Sequence, residues 1–296
     1  MASSADKLGT GSGAVMPPSQ TAEAAPLLRR RRRRPESLRI GGRIGTRNFI
    51  LIATSVFLLL LGIWWLITAA GWEQPLFLPS PQSVWNSLVQ QWNNGQLASD
   101  TGVSVFRIMV GFLIASVLAV PLGLLIGTFR AWEAAIEPLV DFIRYMPVVA
   151  FVPLTIVWFG VANTQKFVII FMGTFFQQVL MIMDNTKRVP LDFVDIGRTL
   201  GLKDRQILLR IITRSAAPEI WDSLRVTLGW AWTWLVVAEL VAATSGLGYR
   251  IVTAQRYLET NLIIGYIIVL GILGLVLDQM MKALGRVMYR YTGAQR

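Results

Sequence analysis

The 296-residue sequence contains no cysteine and no histidine. It therefore cannot form a disulfide, a Cys/His metal site, a cysteine nucleophile or a Ser-His-Asp triad. It also lacks the Gly-x-x-x-x-Gly-Lys-[Ser/Thr] pattern with which P-loop proteins hold nucleotide phosphates. We accordingly expect no catalytic residues, no metal site and no cofactor in this chain. If the protein carries out a process that requires energy, another molecule must supply that energy.

Charged residues are scarce. They make up 15% of the chain, against roughly 25% in soluble domains, while hydrophobic residues make up 54% and the mean hydropathy is +0.53. This composition indicates an all-α polytopic membrane protein. The net charge of +11 would suggest nucleic-acid binding in a soluble protein. Here the positive charge is confined to particular segments, so orientation in a bilayer explains it better, and no nucleic-acid partner is expected.

Apolar runs predict six transmembrane helices, since about 20 residues cross a bilayer. They lie at about residues 49–70, 108–129, 146–161, 167–183, 224–243 and 262–277. The third run is interrupted by Pro147 and Pro153. Short amphipathic helices are expected at residues 84–92 and 131–145. The run at 49–70 is too long, and too far from the N-terminus, to be a cleaved signal peptide.

The basic residues predict how the helices are oriented. Most of the 28 lysines and arginines fall in four alternate segments, at residues 29–47, 130–144, 184–217 and 282–296. The outside loops between the spans hold only Lys166, Arg250 and Arg256. By the positive-inside rule, the four basic segments and both termini are cytoplasmic.

The N-terminal 48 residues are interpreted as a disordered basic tail, followed by a transmembrane domain at 49–290 and a short tail at 291–296. An unbroken arginine run occupies residues 29–34. It acts as a topological stop before the first span, or it binds anionic lipid or nucleic acid. The first alternative is favoured because the basic residues continue up to the span.

The cytoplasmic segment 189–218 carries two short amphipathic patterns. Asp192 is the expected N-cap of a first helix, and Gly201 ends it because glycine readily adopts a positive φ. Asp204 caps a second helix, and Pro218 closes the unit. The apolar residues of the second helix form one stripe: Ile207, Leu208, Ile211 and Ile212.

Basic residues are frequent in this segment and beside it: Lys187, Arg188, Arg198, Lys203, Arg205, Arg210 and Arg214. The segment is therefore a folded, basic helix–turn–helix. It either docks a partner protein through its apolar stripe, with the basic face at the rim, or lies on lipid headgroups.

The pattern Asp195-x-Gly197-x-x-x-Gly201, then nine residues and Ile211, with Pro218 further on, resembles the EAA loop of ABC importer permeases. That loop reads Glu-Ala-Ala-x-x-x-Gly-(x)9-Ile-x-Leu-Pro. The sequence departs from it at Asp195, Ile196, Gly197, Thr213 and Arg214. Four further stretches resemble the nitrate/sulfonate/taurine/bicarbonate permeases: 76–81 (LFLPSP), 156–160 (IVWFG), 238–244 (AELVAAT) and 246–249 (GLGY). The resemblance covers about residues 49–290.

The resemblance implies the type I ABC importer permease fold, a homodimer, and import of a small oxyanion by alternating access across the bacterial inner membrane. The substrate would be taurine or another sulfonate, nitrate or bicarbonate. The implied partners are two cytosolic ABC ATPase subunits, which bind ATP and Mg, and a periplasmic or lipid-anchored substrate-binding protein. The residues that would couple to the ATPase are Asp195, Gly197, Gly201, Ile211 and Pro218.

Four polar residues are candidates for the translocation pathway: Arg107, Gln177, Gln178 and Glu239. An intramembrane carboxylate costs a few kcal/mol, so Glu239 is expected either to face the pathway or to pair with Arg107 or a hydroxyl. Arg107 would draw in anions or simply snorkel. Adjacent helical residues point about 100° apart, so only one of Gln177 and Gln178 is expected in the pathway. The alternative for both is interhelical hydrogen bonding.

The main alternative function is an ion-coupled secondary transporter that uses Glu239 and Asp278 as proton sites. Asp278 and Lys282 are four residues apart and are expected to form a local ion pair. A membrane-embedded enzyme is disfavoured, because without histidine or cysteine only scattered carboxylates remain.

Overall fold

The computed structural model describes residues 45–72, 74 and 76–290. The chain divides into two units, Met1–Val56 and Phe57–Arg296, and the first helix begins in one and ends in the other. The arginine run at 29–34, the tail at 291–296 and all but the last four residues of the tail at 1–48 lie outside the described residues. The proposed domain division therefore stays a prediction.

Every regular element in the described part of the chain is helical, which confirms the all-α class. The elements are α1 (Thr46–Ala69), α2 (Pro81–Asn93), α3 (Gln96–Thr128), α4 (Arg130–Arg144), a 3-10 turn (Val148–Phe151), α5 (Val152–Phe159), α6 (Asn163–Lys187), α7 (Leu191–Thr199), α8 (Asp204–Ile207), a π-helical segment (Leu208–Ile212), α9 (Thr213–Ala242), α10 (Leu247–Arg256) and α11 (Thr260–Met288).

Five helices in the described residues are long and apolar enough to cross a membrane: α1, α3, α6, the continuous run from α8 through α9, and α11. A sixth crossing is possible only if α4 and residues 148–159, which meet at a bend of 83°, count as one span. The predicted third span is therefore not one straight helix. Pro147 precedes the 3-10 turn and Pro153 lies in the first turn of α5, where a missing N–H costs little.

A stripe of small residues on α3 brings this helix close to α6. The stripe repeats every four residues: Gly111, Ala115, Ala119, Gly123 and Gly127. A Cβ on Gly123 would lie 2.7 Å from the Cβ of Ile182. Small residues at this spacing let two membrane helices pack backbone to backbone. This stripe is readable in the sequence but was not among the predicted features.

Two apolar clusters hold α9 against the α3–α6 pair. One lies at the end that carries α7, where Leu124 and Ile182 pack with Ile207 and Ile212. We call this end the basic end. The other lies toward the opposite end, where Ile108, Ile170, Leu235 and Tyr266 meet. These clusters fix the positions of the groups described below.

The amphipathic helix predicted at residues 84–92 is confirmed as α2. The Ser80 hydroxyl accepts a hydrogen bond from the Ser83 N–H, and Pro81 occupies the first helical position. Leu88 of α2 packs on Gly265 of α11, where an added Cβ would lie 3.0 Å from it. The amphipathic helix predicted at 131–145 is confirmed as α4.

Candidate functional site

Helix α7 ends as the sequence predicts. Gly201 has φ +73°, and its N–H donates to the carbonyl of Arg198 at 2.9 Å, while the Leu202 N–H donates to Gly197 at 3.0 Å. This is a left-handed C-terminal cap, which glycine forms without a steric penalty. Asp192 lies in the first turn of α7 and is not the cap, because the helix already begins at Leu191.

Two of the predicted coupling residues are in direct contact. Gly197 is buried where α7 crosses the π-helical segment, and a Cβ there would lie 2.6 Å from the Cδ1 of Ile211. The absence of a side chain at Gly197 therefore lets α7 pack closely on Ile207 and Ile211. Asp195 lies on the exposed side of α7, 3.6 Å from Arg198.

The outward side of α7 is apolar. Leu200 is 73% exposed, and Phe193 and Ile196 are also exposed. At 3.6 residues per turn these three side chains lie within about 60° of one another around the helix axis, and we call them the α7 apolar face. Leu191 is exposed too, but it lies on the other side of α7, with Asp195 and Arg198. The exposed charged residues of the same segment are the basic Arg198, Lys203, Arg205, Arg210 and Arg214 and the acidic Asp192, Asp195 and Asp204. A contiguous exposed apolar patch with a polar rim is typical of a protein-interaction surface.

The second predicted helix differs from the expectation. Ile207 and Ile212 are buried in the protein's own core, so this stripe is not free to enter a partner. Asp204 is the first helical residue, and Lys203 takes the capping position. Helix α8 continues through the π-helical segment into α9.

Pro218 does not close the unit, and that prediction is wrong. It lies inside α9, which continues to Ala242. Proline is tolerated in membrane helices because neighbouring groups satisfy the backbone carbonyl that it frees. Upstream, the Thr213 hydroxyl donates to the carbonyl of Leu208 at 2.8 Å, across the wide π turn.

At the end opposite α7, Glu239 and Arg107 form a buried ion pair. The two residues are 1% and 4% exposed, and Arg107 Nη1 lies 2.8 Å from Glu239 Oε1. The carboxylate also accepts hydrogen bonds from the Ser104 hydroxyl and the Gly248 N–H, both at 2.8 Å. Arg107 further donates to Asn163. The pairing of these two residues is confirmed, whereas a role of either in the pathway stays a prediction.

A second ion pair lies two helical turns away on α3. Asp100 Oδ2 accepts from Arg250 Nε at 2.8 Å, and Asp100 Oδ1 accepts from the Gly246 N–H at 3.1 Å. Burial alone would lower the pKa of Arg250, but the hydrogen bond and charge of Asp100 raise it above its usual value. Together with Glu239, these bonds fasten the start of α10 to α3. This ion pair was not predicted from the sequence.

Lys166 is buried as well, although its sequence position suggests a loop. Its ammonium group donates to the carbonyls of Val161 and Ala242. Ala242 is the last residue of α9, so the positive charge also interacts favourably with the C-terminal end of that helix.

The two glutamines of α6 point in different directions, as predicted. Gln178 is buried and its Nε2 donates to Ser116 on α3 and Thr227 on α9, each at 3.2 Å. Interhelical hydrogen bonding is therefore confirmed for Gln178. Gln177 is half-buried and lines a cavity instead.

This cavity has a volume of about 390 Å³ and lies between α6 and α9 beside the junction of α4 and α5. We call it the α6–α9 cavity. Its aromatic wall residues are Tyr145, Phe151, Phe176, Trp230 and Trp234. The polar side chains that reach it are Arg144, Gln177 and Thr233.

Asp278 does not pair with Lys282, so that prediction is wrong. Asp278 Oδ1 lies 3.4 Å from Arg225 Nε and thereby joins α11 to α9. A contact between helices replaces the expected contact within one helix.

Residues 119–289 match the family described as "binding-protein-dependent transport system inner membrane component". The chain belongs to this family. It is thus an integral membrane permease, and the resemblance stated from the sequence is confirmed. The matched range includes all five predicted coupling residues. Their contact with an ATPase stays a prediction.

Several curated relatives are ABC permeases. A probable ABC transporter permease protein of Brucella melitensis is 38% identical over 226 residues, or 76% of this chain and 91% of the relative. The taurine transport system permease protein of Escherichia coli is 30% identical and covers 80% of this chain and 88% of its own length. The nitrate import permease protein of Leptolyngbya laminosa is 26% identical, with coverages of 84% and 91%.

The permease also shares its fold with a solved transporter. An inward-facing structure of the MetNI methionine ABC transporter aligns with a TM-score of 0.56 at 18% identity, covering 62% of this chain and 92% of the other. The type I importer permease fold is thereby confirmed.

Proposed function

We propose that this permease is the membrane-spanning subunit of an ATP-driven importer that moves a small oxyanion of the taurine/sulfonate, nitrate or bicarbonate type into the cell by alternating access. It works as a homodimer. Two cytosolic ABC ATPase subunits bind ATP and Mg, and a binding protein outside the membrane delivers the substrate. The α7 apolar face is the observation that carries this proposal.

The α7 apolar face has the chemistry of a helix that docks in a groove. Its three apolar side chains are exposed, and the same segment carries five exposed arginines and lysines against three exposed aspartates. An amphipathic helix of this kind gains hydrophobic free energy when a partner covers the patch, while the basic rim adds steering and specificity. The partner is an ATPase subunit, because this chain has no nucleotide-binding motif of the P-loop type.

The connections of α7 supply a path for movement. One end joins α6 through residues 188–190, and the other leads through α8 and the π-helical segment into α9. The close contact of Gly197 with Ile211 makes α7 and the start of α9 move together. Displacement of α7 by the ATPase is therefore transmitted to the α6–α9 pair, whose faces form the cavity.

The test compares Leu200→Glu on the α7 apolar face with Leu258→Glu, a comparably exposed leucine in the turn between α10 and α11. Leu200→Glu is expected to remove the ATPase activity that co-purifies with the tagged permease and to abolish uptake of labelled taurine and nitrate. Leu258→Glu should retain the co-purifying activity. Equal retention by both variants would refute docking through α7.

An ion-coupled carrier that uses Glu239 and Asp278 is not favoured, because each carboxylate already has an arginine partner within this chain. The two mechanisms differ in their energy source. Uptake driven by ATP should stop on ATP depletion and persist in an uncoupler while ATP is maintained. An ion-coupled carrier should show the reverse.

A further inference from the structure

We propose that the α6–α9 cavity is a binding site within the permease for an organic anion, meaning an aromatic or other apolar body that carries one sulfonate or carboxylate group. This inference rests on the proposed import function and narrows its substrate class. It places organic anions above bare inorganic oxyanions such as nitrate and bicarbonate.

The size and the walls of the cavity favour an apolar body. Its volume of about 390 Å³ lies within the range of about 300–1,000 Å³ that is typical of small-molecule sites. A water molecule occupies about 30 Å³ of liquid, so a four-atom oxyanion would leave most of this space unfilled. The aromatic walls would repel such an ion at their negative faces, whereas they can stack with an aryl ring.

The aromatic wall is held firmly in place on one side. The Trp234 ring lies directly on Gly173, so closely that an added Cβ at Gly173 would overlap it. Phe176 packs edge-on against Phe175, with ring centroids 5.2 Å apart. A binding surface built from packed rings loses little conformational entropy when a ligand enters.

One cation and two neutral donors converge on this apolar site. The Arg144 guanidinium stands 4.7 Å from the centre of the Tyr145 ring, and its Nε lies 3.0 Å from Asp141. Its Nη2 donates one N–H to the Tyr145 hydroxyl at 3.0 Å, which leaves the other Nη2 N–H and the two Nη1 N–H groups available for a sulfonate or carboxylate. Among the described residues, neither the Gln177 amide nor the Thr233 hydroxyl has a hydrogen-bond partner.

Beyond the cavity, an inorganic anion would meet carboxylates. Toward the basic end, α6 and α9 enclose a second, more open cavity whose charged residues are Asp184, Arg188, Glu219 and Asp222. Carboxylates outnumber the single arginine there. An inorganic anion that left Arg144 would therefore enter a region whose net negative charge repels it. An organic anion would be repelled in the same way at its charged group, but its apolar body could still make apolar contacts.

The test uses the full-length permease in lipid nanodiscs without partners and measures binding by titration calorimetry. Benzenesulfonate is the probe, and benzenesulfonamide is a neutral probe of the same size. Benzenesulfonate should bind saturably and at least about tenfold more tightly than the sulfonamide, because a hydrogen bond to a charged group contributes that much. Nitrate at the same concentration should not displace it.

Matched variants locate the site. Arg144→Gln and Trp230→Leu should each weaken benzenesulfonate binding about tenfold or more. Arg130→Gln and Trp132→Leu change the same residue types in the first turns of α4, outside the cavity, and should bind as the wild type does. Gln177→Leu, expected to weaken binding less, serves if Arg144→Gln fails to fold.

The proposal is overturned by an absence of saturable binding, by equal affinities for the sulfonate and the sulfonamide, by displacement with nitrate, or by equal effects of Arg144→Gln and Arg130→Gln. Equal affinities would identify an apolar cavity that lipid chains can fill. Binding in nanodiscs requires no ATPase. Its failure is therefore distinct from a failure of ATP-dependent uptake, which would contradict the import function instead.

Discussion

Both oxygens of the buried Glu239 carboxyl group have hydrogen-bond partners inside the protein. Arg107, Ser104 and the Gly248 N–H donate to its two oxygens. Removing one member would leave the others desolvated and unpaired, which costs more than the pair contributes when complete. The ion pair therefore fastens α3, α9 and the start of α10 to one another.

Glu239→Gln should destabilise the protein by about 3–5 kcal/mol, because it leaves the buried Arg107 without a counter-charge. Arg225→Gln on the same helix should cost only about 0–1 kcal/mol, since its partner Asp278 is 43% exposed. The measurement is the melting temperature of each purified variant in detergent. Similar shifts for the two variants would contradict the importance of burial.

The sequence could predict a partner for Glu239 because a lone intramembrane carboxylate is expensive, and Arg107 was one of few candidates. It could not predict the Asp100–Arg250 pair. These residues lie 150 positions apart in segments that look like polar loops, and only the packing of α10 on α3 brings them together. Lys166 was assigned to a loop because the local sequence does not show that packing buries it against the carbonyl of Ala242.

At the scale of elements, helix periodicity predicted which residues share a face but not which way each face points. The α7 residues and the stripe from Ile207 to Ile212 have similar patterns, yet the first is exposed and the second is buried. The end of α7 was predictable because Gly201 acts locally through its backbone. The prediction that a helix ends at Pro218 was wrong because α9 continues through this proline. The neighbouring helices that allow this cannot be read from the local sequence.

Gly201 is required for its backbone conformation and not for space, since nothing lies within 4 Å of an added Cβ. Gly201→Ala should therefore impair ATPase association much as a bulky residue would, with a strain of about 1–2 kcal/mol. Gly201→Asn should be milder, because asparagine tolerates positive φ. The measurement is the ATPase activity that co-purifies with each variant, and an alanine variant equal to wild type would count against this interpretation.

The small-residue stripe of α3 should be sensitive to any added side chain. Gly123→Leu would force Ile182 and the α6 backbone apart, with a loss of stability on the order of 3 kcal/mol or more. Gly271→Leu on α11 enters open space and should change stability by less than about 0.5 kcal/mol. Thermal unfolding in detergent compares them, and a tolerated Gly123→Leu would contradict the close packing of α3 on α6.

At the scale of the whole molecule, the sequence predicted six spans, and the described residues contain five, or six if the bent pair of α4 and residues 148–159 counts as one span. Hydropathy reports the length of an apolar run but not its bend. Residues 146–161 passed as a span on composition, although the chain turns by 83° between α4 and the helical residues that follow. The orientation of the whole remains a prediction from charge.

The absence of cysteine offers a direct test of orientation. A single cysteine at Lys203, beside the α7 apolar face, should react with a membrane-impermeant maleimide only after the cells are permeabilised. A single cysteine at Tyr257, which is exposed after α10, should react in intact cells. This pattern follows from the positive-inside rule, and the opposite pattern would invert the topology.

The uninterrupted course of the chain from Asp204 to Ala242 has a mechanical consequence. At 1.5 Å per residue, these 39 residues form a rod of roughly 58 Å. A tilt of about 5° around one end would swing the other by about 5 Å. Glu239 lies near the far tip and is bound to Arg107, so a small displacement at the basic end of this rod is amplified at the loop before α10, at the opposite end.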